Sequence, residues 1–239
     1  MTALWLALGF LTRLPVPRIT PQAADHARAV RLYPVAGLAV GVVVATGGWL
    51  GALIDPWLGA LGAMIGWILV TGALHLDGLA DLFDALGASH GDRERLLRVM
   101  ADPHIGSFGV VAIVALLAAK LVLLHLLVPG QVLTLIVVPA IARTAPLAWA
   151  RWLRPLRPGG MGAALHGVVR LRDLLGWGAI MVGLMVLSPG LIIAPLVIAA
   201  LGGWFARRLG GISGDLHGAG IELTETALLL ALVVAQRAA

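Results

Sequence analysis

Residues Ser107–Val128 read SFGVVAIVALLAAKLVLLHLLV, an apolar run in which Lys120 and His125 are the interruptions after the opening serine. About 20 apolar residues are what an α-helix needs to cross the hydrocarbon core of a bilayer. The pattern recurs on both sides. We predict about seven spans, roughly Tyr33–Ile54, Trp57–Leu74, Ser107–Val128, Val132–Ala150, Leu174–Leu187, Leu191–Phe205 and Ile221–Ala235. Tight turns at Asp55-Pro56, Pro129-Gly130 and Ser188-Pro189-Gly190 separate some of them. The expected fold is all-α: a polytopic integral membrane helix bundle, with residues 1–239 as one domain. Composition agrees, at 60% hydrophobic residues, 12% charged residues and a mean hydropathy of +0.98.

Charge orients the bundle. The chain has 17 Lys and Arg, all but Lys120 being Arg. Fourteen of them lie in the N-terminal segment and in the loops after the second, fourth and sixth spans, and the three tight turns carry none. The positive-inside rule then puts the N-terminus and the large loops in the cytoplasm. Most acids, Asp77 to Asp84, Asp102, Asp215, Glu222 and Glu225 among them, fall on or near that side, so the active site is expected to face the cytoplasm. No basic face interleaved with aromatics marks nucleic-acid binding. The absence of Cys excludes disulfides, thiolate metal sites and cysteine nucleophiles. Ala3–Leu11 is short and lacks a basic flank, so a cleavable signal peptide is not expected. Pairs such as Gly37/Gly41, Gly47/Gly51 and Gly62/Gly66 suit close helix packing.

His75-Leu76-Asp77-Gly78-Leu79-Ala80-Asp81-Leu82-Phe83-Asp84 follows the second span. On a helix, Asp77, Asp81 and Asp84 share one face. Acids at membrane depth cost ~2.5–3.5 kcal/mol each on insertion scales, and these three also repel one another. A divalent cation with oxygen ligands, Mg²⁺ foremost, compensates both. A metal–carboxylate site at a membrane edge suggests chemistry on a phosphorylated substrate. Gly78 leaves backbone room for a phosphate beside Asp77, and His75 is a candidate to orient or protonate the substrate.

Three further stretches carry candidates. In Asp102-Pro103-His104-Ile105-Gly106, the proline pushes Asp102 out of helical geometry toward a metal. Bare N–H groups from Gly106 to Gly109 suit an anion. Between Gly210 and Gly220, five glycines, Asp215 and His217 precede a helix bearing Glu222 and Glu225. That loop suits backbone contact with phosphates, although it lacks the Gly-Lys-Ser/Thr ending of a Walker A loop. Of Arg143, Arg151, Arg154 and Arg157, Arg143 is the stronger phosphate candidate, because it lies inside an apolar span and needs a partner. Anchoring at the cytoplasmic face accounts for the others. Lys120, deeper in its span, is expected to snorkel or to pair with an acid.

Taken with Phe10-Leu11-Thr12-Arg13-Leu14-Pro15-Val16-Pro17 and Tyr33-Pro34-Val35-Ala36-Gly37, these motifs form a specific combination. Over nearly its whole length the chain resembles the cobalamin synthase family, the adenosylcobinamide-GDP ribazoletransferases. The resemblance implies transfer of the adenosylcobinamide-phosphate group of adenosylcobinamide-GDP to α-ribazole or α-ribazole 5′-phosphate. The 5′ oxygen or the phosphate would attack, GMP would leave, and adenosylcobalamin or its 5′-phosphate would form. It implies Mg²⁺ dependence and a prokaryotic cytoplasmic (inner) membrane, with the lipid bilayer and other cobalamin-pathway enzymes as neighbours. A looser resemblance to CDP-alcohol phosphotransferases rests on Asp77-Gly78-Leu79-Ala80, after which Asp81 departs from that family's pattern.

The expected metal ligands are Asp77, Asp81 and Asp84, with Asp102 and Asp215 as further ligands or ligands of a second ion. The expected substrate contacts are His75, Gly78, Gly106, Arg143, Gly214, Glu222 and Glu225. Asp84, Asp102, His104 and His217 are the catalytic candidates, and the general base stays open among Asp84, His104 and His217. Two rival readings are a phospholipid-forming CDP-alcohol phosphotransferase and a cation-coupled transporter. The latter predicts acids near the bilayer midplane and broken helices in paired halves.

Overall fold

The computed structural model describes residues 1–238. Two short helices, α1 (Thr2–Leu11) and α2 (Ala23–Val30), lead into α3 (Tyr33–Ala52) and α4 (Pro56–Thr71). Next come α5 (Leu74–Ser89), α6 (Arg93–Val99) and α7 (Ser107–Gln131). The second half holds α8 (Val137–Ala142), α9 (Thr144–Trp152), α10 (Met161–Leu165), α11 (Leu171–Leu187), α12 (Ala194–Trp204) and α13 (Gly214–Ala238). Among the described residues no β-strand forms, and one backbone bridge pairs Pro155 with Ile212.

Five stretches are long and apolar enough to cross a membrane: Tyr33–Ala52, Ser107–Val128, Val132–Trp152, Pro189–Leu209 and Gly214–Ala238. Counting α4 and α5 together as one bent span gives a sixth. The expected fifth span corresponds to α11, whose 17 residues reach only about 25 Å.

Small residues set the helix spacing. Gly47 of α3 lies against the backbone of Gly62 on α4, where a Cβ would come 2.5 Å from the Gly62 carbonyl oxygen. On another face of α3, Gly37 and Gly41 meet the backbone of Pro139–Ala140 and Ile136 in the same way. With little to gain from apolar burial between helices in lipid, such close backbone contact is a main source of packing.

The bend between α4 and α5 positions the acidic motif. Asp55 caps α4, its Oδ1 accepting from Trp57 N at 2.7 Å, and Pro56 supplies the preset first-turn φ. At the far end Gly72 adopts φ 62°, the usual left-handed helix stop. Ala73 follows at φ 60°, a conformation that costs a non-glycine residue about 1 kcal/mol or more. Two left-handed residues in succession turn the chain by 88°. Arg13 packs over Gly72, and its backbone N–H donates to Val70 O at 2.7 Å. The motif residues near the N-terminus thus brace the corner from which α5 departs.

Candidate active site where α5 crosses α13

Helices α5 and α13 cross in near backbone contact. A Cβ on Gly78 would strike the Asp215 carbonyl, and one on Gly218 would come 3.3 Å from His75 Cα. This approach brings Asp77 and Asp215 into the wall of one cavity of about 310 Å³, together with His75, His217, Gly214 and Arg157. Asp81, one helical turn beyond Asp77 and half-buried, lies in the field of Asp215, Asp77 and Asp84. Among the described residues, no three His, Cys, Asp or Glu side chains stand close enough to enclose an ion by themselves. Phe10 and Tyr33 also line the cavity, so all but one of the motif regions converge there.

The start of α13 is built by a loop that doubles back. Phe205–Leu209 forms a π-helical turn, which ends at Gly210 with φ 84°. Ile212 then pairs with the arginine-rich loop: its N–H donates to Arg154 O at 2.8 Å, and its carbonyl accepts from Leu156 N at 2.9 Å. Ser213 caps α13 by accepting from Leu216 N at 3.2 Å, and its hydroxyl lies 3.4 Å from Asp215 Oδ2. This pairing carries Arg157 into the cavity wall. Its guanidinium donates to Leu97 O and acts electrostatically on Asp215. Arg157 was not among the expected substrate contacts. Positive-inside anchoring already accounts for a loop arginine, so nothing in its local sequence singles it out.

Arg143 has the opposite fate. It is 0% exposed, and Nη1 binds Glu225 and donates to Pro139 O at 3.2 Å. Lys120 Nζ sits 2.6 Å from Glu222 Oε2 and 2.6 Å from Glu225 Oε2, and lies 4.3 Å over the Trp67 ring. Two cations and two carboxylates therefore neutralise one another inside the bundle, as buried charges in a membrane require. Arg143, Glu222 and Glu225, expected at the substrate, are spent on this network and stand outside the cavity lining. Lys120 pairs with acids, as expected.

Asp84 departs from its expected place as well. Its Oδ2 accepts from Gly106 N at 2.7 Å and its Oδ1 from Gly109 N at 2.9 Å. The buried carboxylate caps α7 from a neighbouring helix, and it takes up the N–H of Gly106 expected to meet a phosphate. Asp102 and His104 lie exposed on the loop just before that cap. Asp102 Oδ1 accepts from His104 N at 3.0 Å and meets His104 Nδ1 at 2.6 Å. The hydrogen bond from His104 holds the Asp102 carboxyl below the usual aspartate range. Neither residue lines the cavity.

Two histidines complete the wall. His217 is buried beside Trp149, with ring centroids 6.0 Å apart, and both its ring nitrogens lack a partner among the described residues. His75 has Nδ1 3.3 Å from Arg143 Nη2 and an Nε2 without a partner among the described residues.

Comparison with known proteins bears on the whole of this arrangement. The family model described as cobalamin-5-phosphate synthase matches residues 3–233. A protein of Novosphingobium aromaticivorans named adenosylcobinamide-GDP ribazoletransferase is 52% identical, with 96% of this chain and 95% of that protein covered. Proteins with the same name from Thiobacillus denitrificans and Laribacter hongkongensis are 48% and 47% identical. They cover 96% and 99% of this chain, and 94% and 98% of their own lengths. No solved structure matches. The names of these relatives support neither the phospholipid-forming reading nor the transporter. With acids, glycines and N-terminal motif gathered at one cavity and the match running nearly end to end, the chain belongs to the cobalamin-5-phosphate synthase family.

Proposed function

We propose that this protein transfers the adenosylcobinamide-phosphate group of adenosylcobinamide-GDP to α-ribazole or its 5′-phosphate, releasing GMP. The observation that carries the proposal is the meeting of Asp77, Asp215 and Arg157 on one cavity wall with Asp81 beside them. A product that retains a 5′-phosphate, as the family's description has it, cannot have been made by attack of that phosphate. We therefore replace the 5′ nucleophile expected from the resemblance with another hydroxyl of the ribose.

The residues fit Mg²⁺. This ion seldom sits in an all-protein cage; it keeps several waters and binds one or two carboxylates plus substrate phosphates. Asp77, Asp81 and Asp215 are such an incomplete set, and their mutual repulsion calls for a cation. They are the side chains that would hold it. Bound there, Mg²⁺ would supply positive charge to the diphosphate and to the departing GMP. Arg157, whose guanidinium suits phosphate oxygens, would clamp the same diphosphate from the facing loop. Gly78 and Gly214 would let the phosphates approach the backbone. An unpartnered ring nitrogen of His217 would take the proton of the attacking hydroxyl as the new P–O bond forms and the bond to GMP breaks. Asp102, exposed beside His104 and outside the cavity lining, is not part of this set.

We further propose that the N-terminus and the arginine-rich loops face the cytoplasm of a prokaryotic inner membrane, as the positive-inside rule orients them. Turnover by purified protein in lipid nanodiscs tests the activity. GMP and a corrin product should appear with both substrates and Mg²⁺, and chelation should stop them. Well-folded protein that releases no GMP under those conditions would overturn the proposal.

A further inference from the structure

We infer that Lys120, Glu225 and Arg143 form a positioning relay that fixes the tautomer of His75, so that its Nε2–H is offered as a hydrogen-bond donor to a diphosphate oxygen of the substrate. The inference rests on the diphosphate substrate proposed above.

The relay can be followed atom by atom. Lys120 lies against the Trp67 ring and holds one oxygen of Glu225 at 2.6 Å. The other oxygen of Glu225 binds Nη1 of Arg143, which Pro139 O also restrains at 3.2 Å. The guanidinium is thereby locked in place, and its Nη2 stands 3.3 Å from His75 Nδ1. A guanidinium carries donors and no acceptor. Nδ1 must then present its lone pair, and the single proton of the neutral ring must reside on Nε2. That nitrogen is buried and has no partner among the described residues. His75 itself lines the cavity, two residues before Asp77 and packed at its backbone against Gly218.

A buried N–H without an acceptor is costly to keep. An oxygen arriving with the substrate removes that cost, and a phosphate oxygen forms the stronger charge-assisted bond. The same tautomer excludes two other roles. A protonated Nε2 is neither a metal ligand nor a general base, and Nδ1 is already committed to Arg143. The relay also explains why four charges are buried beside the cavity although none of them lines it. The quartet is neutral overall, so it orients the ring without repelling or trapping an anion.

The test is nitrogen NMR on protein carrying ¹⁵N-histidine in nanodiscs, with a His75→Phe spectrum identifying the resonances of His75. The expected result is a neutral ring with proton on Nε2 and none on Nδ1, whose Nε2 signal moves when GDP and Mg²⁺ are added. An imidazolium, an Nδ1–H tautomer, or an Nε2 signal unmoved by saturating GDP would overturn the inference. Kinetics supply a second readout. His75→Phe should lower kcat/KM for adenosylcobinamide-GDP about ten- to a hundredfold with KM for α-ribazole unchanged, the usual effect of losing one bond to a charged group. His75→Gln, whose amide N–H reaches toward the Nε2 position, should recover most of the loss, and a Gln variant no better than Phe would count against the donor role. Wild-type protein that releases no GMP defeats the proposed reaction alone, since the tautomer and its response to GDP are read without turnover.

Discussion

Gly78 of α5 lies so close to Asp215 of α13 that a Cβ at position 78 would strike the Asp215 carbonyl. The contact is between two backbones, so no flexible side chain can yield. Gly78→Ala should push the helices apart at the point where Asp77 and Asp215 share the cavity wall. We expect a loss of about 1–3 kcal/mol in stability, as for other overpacked sites. Activity should fall further than stability, because the carboxylates separate even in molecules that stay folded. Thermal unfolding and GMP release measured on the same nanodisc preparation check both parts. An Ala variant with wild-type turnover would show that the crossing does not set the site.

Removal of Glu225 should be the most damaging single change to the fold. Glu225→Ala leaves Arg143 without its carboxylate and Lys120 with one acid of two, all buried. Breaking such a pair from one side costs about 3–5 kcal/mol. Lys120→Met, which leaves Glu222 without its cation, should also destabilise strongly. The double variant Lys120→Met, Glu225→Ala should lose less than the sum of the two single changes, and a double-mutant cycle in thermal or denaturant unfolding measures the difference. Full additivity would mean that the network is not coupled.

Asp84→Ala should loosen the loop before α7. Two backbone N–H groups would lose their acceptor, at about 1–3 kcal/mol for a buried unpaired group. Hydrogen exchange at Gly106 and Gly109 should accelerate, while amides at the α3–α4 contact keep their protection. Within that loop, the Asp102 carboxyl should titrate below the ordinary aspartate value, and His104→Ala should move it back up, since the His104 hydrogen bond is the leading cause of the shift. The favourable contact is thus present at neutral pH and is lost only as pH falls through that lowered value. Side-chain carbon NMR of Asp102 reads it directly.

Much of this architecture is legible from short-range pattern alone. α7 starts where its apolar run begins, at Ser107, and α3 starts at the predicted Tyr33, whereas the turn expected at Pro129-Gly130 does not form: α7 continues through it to Gln131, because those residues sit at the end of an apolar helix whose hydrogen bonding is already established. The alignment of Asp77, Asp81 and Asp84 follows from helical spacing. What pattern cannot show is which distant groups meet. Asp84 finds its donors 22 and 25 positions away, and Arg143 finds Glu225 82 positions away. An acid facing a metal and an acid capping a helix look alike until those partners are in place. The corner at Gly72–Ala73 was hidden for another reason: alanine carries no turn signal, and its left-handed φ is imposed by the packing around it. Arg157 was masked because the positive-inside rule gives every loop arginine a sufficient explanation.

The membrane orientation has its own test, helped by a chain that contains no cysteine. Single cysteines at Arg95→Cys and Ser188→Cys report on a basic loop and on a predicted outer turn. In intact cells, a membrane-impermeant maleimide should label position 188 and leave position 95 unlabelled until lysis. The reverse pattern would place the basic loops outside, and equal labelling of the two would mean that an even number of spans separates them, as when α7 and Val132–Trp152 cross and the shorter α11 does not.

Asp81→Asn separates the chemistry from the fold. The side-chain hydrogen bonds of α5 use His75, Asp84 and Ser89 rather than Asp81. The amide has the same shape as the carboxylate, so unfolding temperature should stay close to wild type, or rise slightly as repulsion from Asp77 and Asp215 is relieved. If the acid helps to hold Mg²⁺, turnover should drop about 10²- to 10³-fold, the loss typical when one electrostatic stabiliser of a developing charge is removed. The Mg²⁺ concentration for half-maximal rate should rise with it. Asp84→Ala, by contrast, should lose stability first and leave that half-maximal concentration near its wild-type value. An Asp81→Asn enzyme with normal turnover and normal Mg²⁺ response would remove Asp81 from the ligand set, leaving Asp77 and Asp215 to hold the ion together with the substrate.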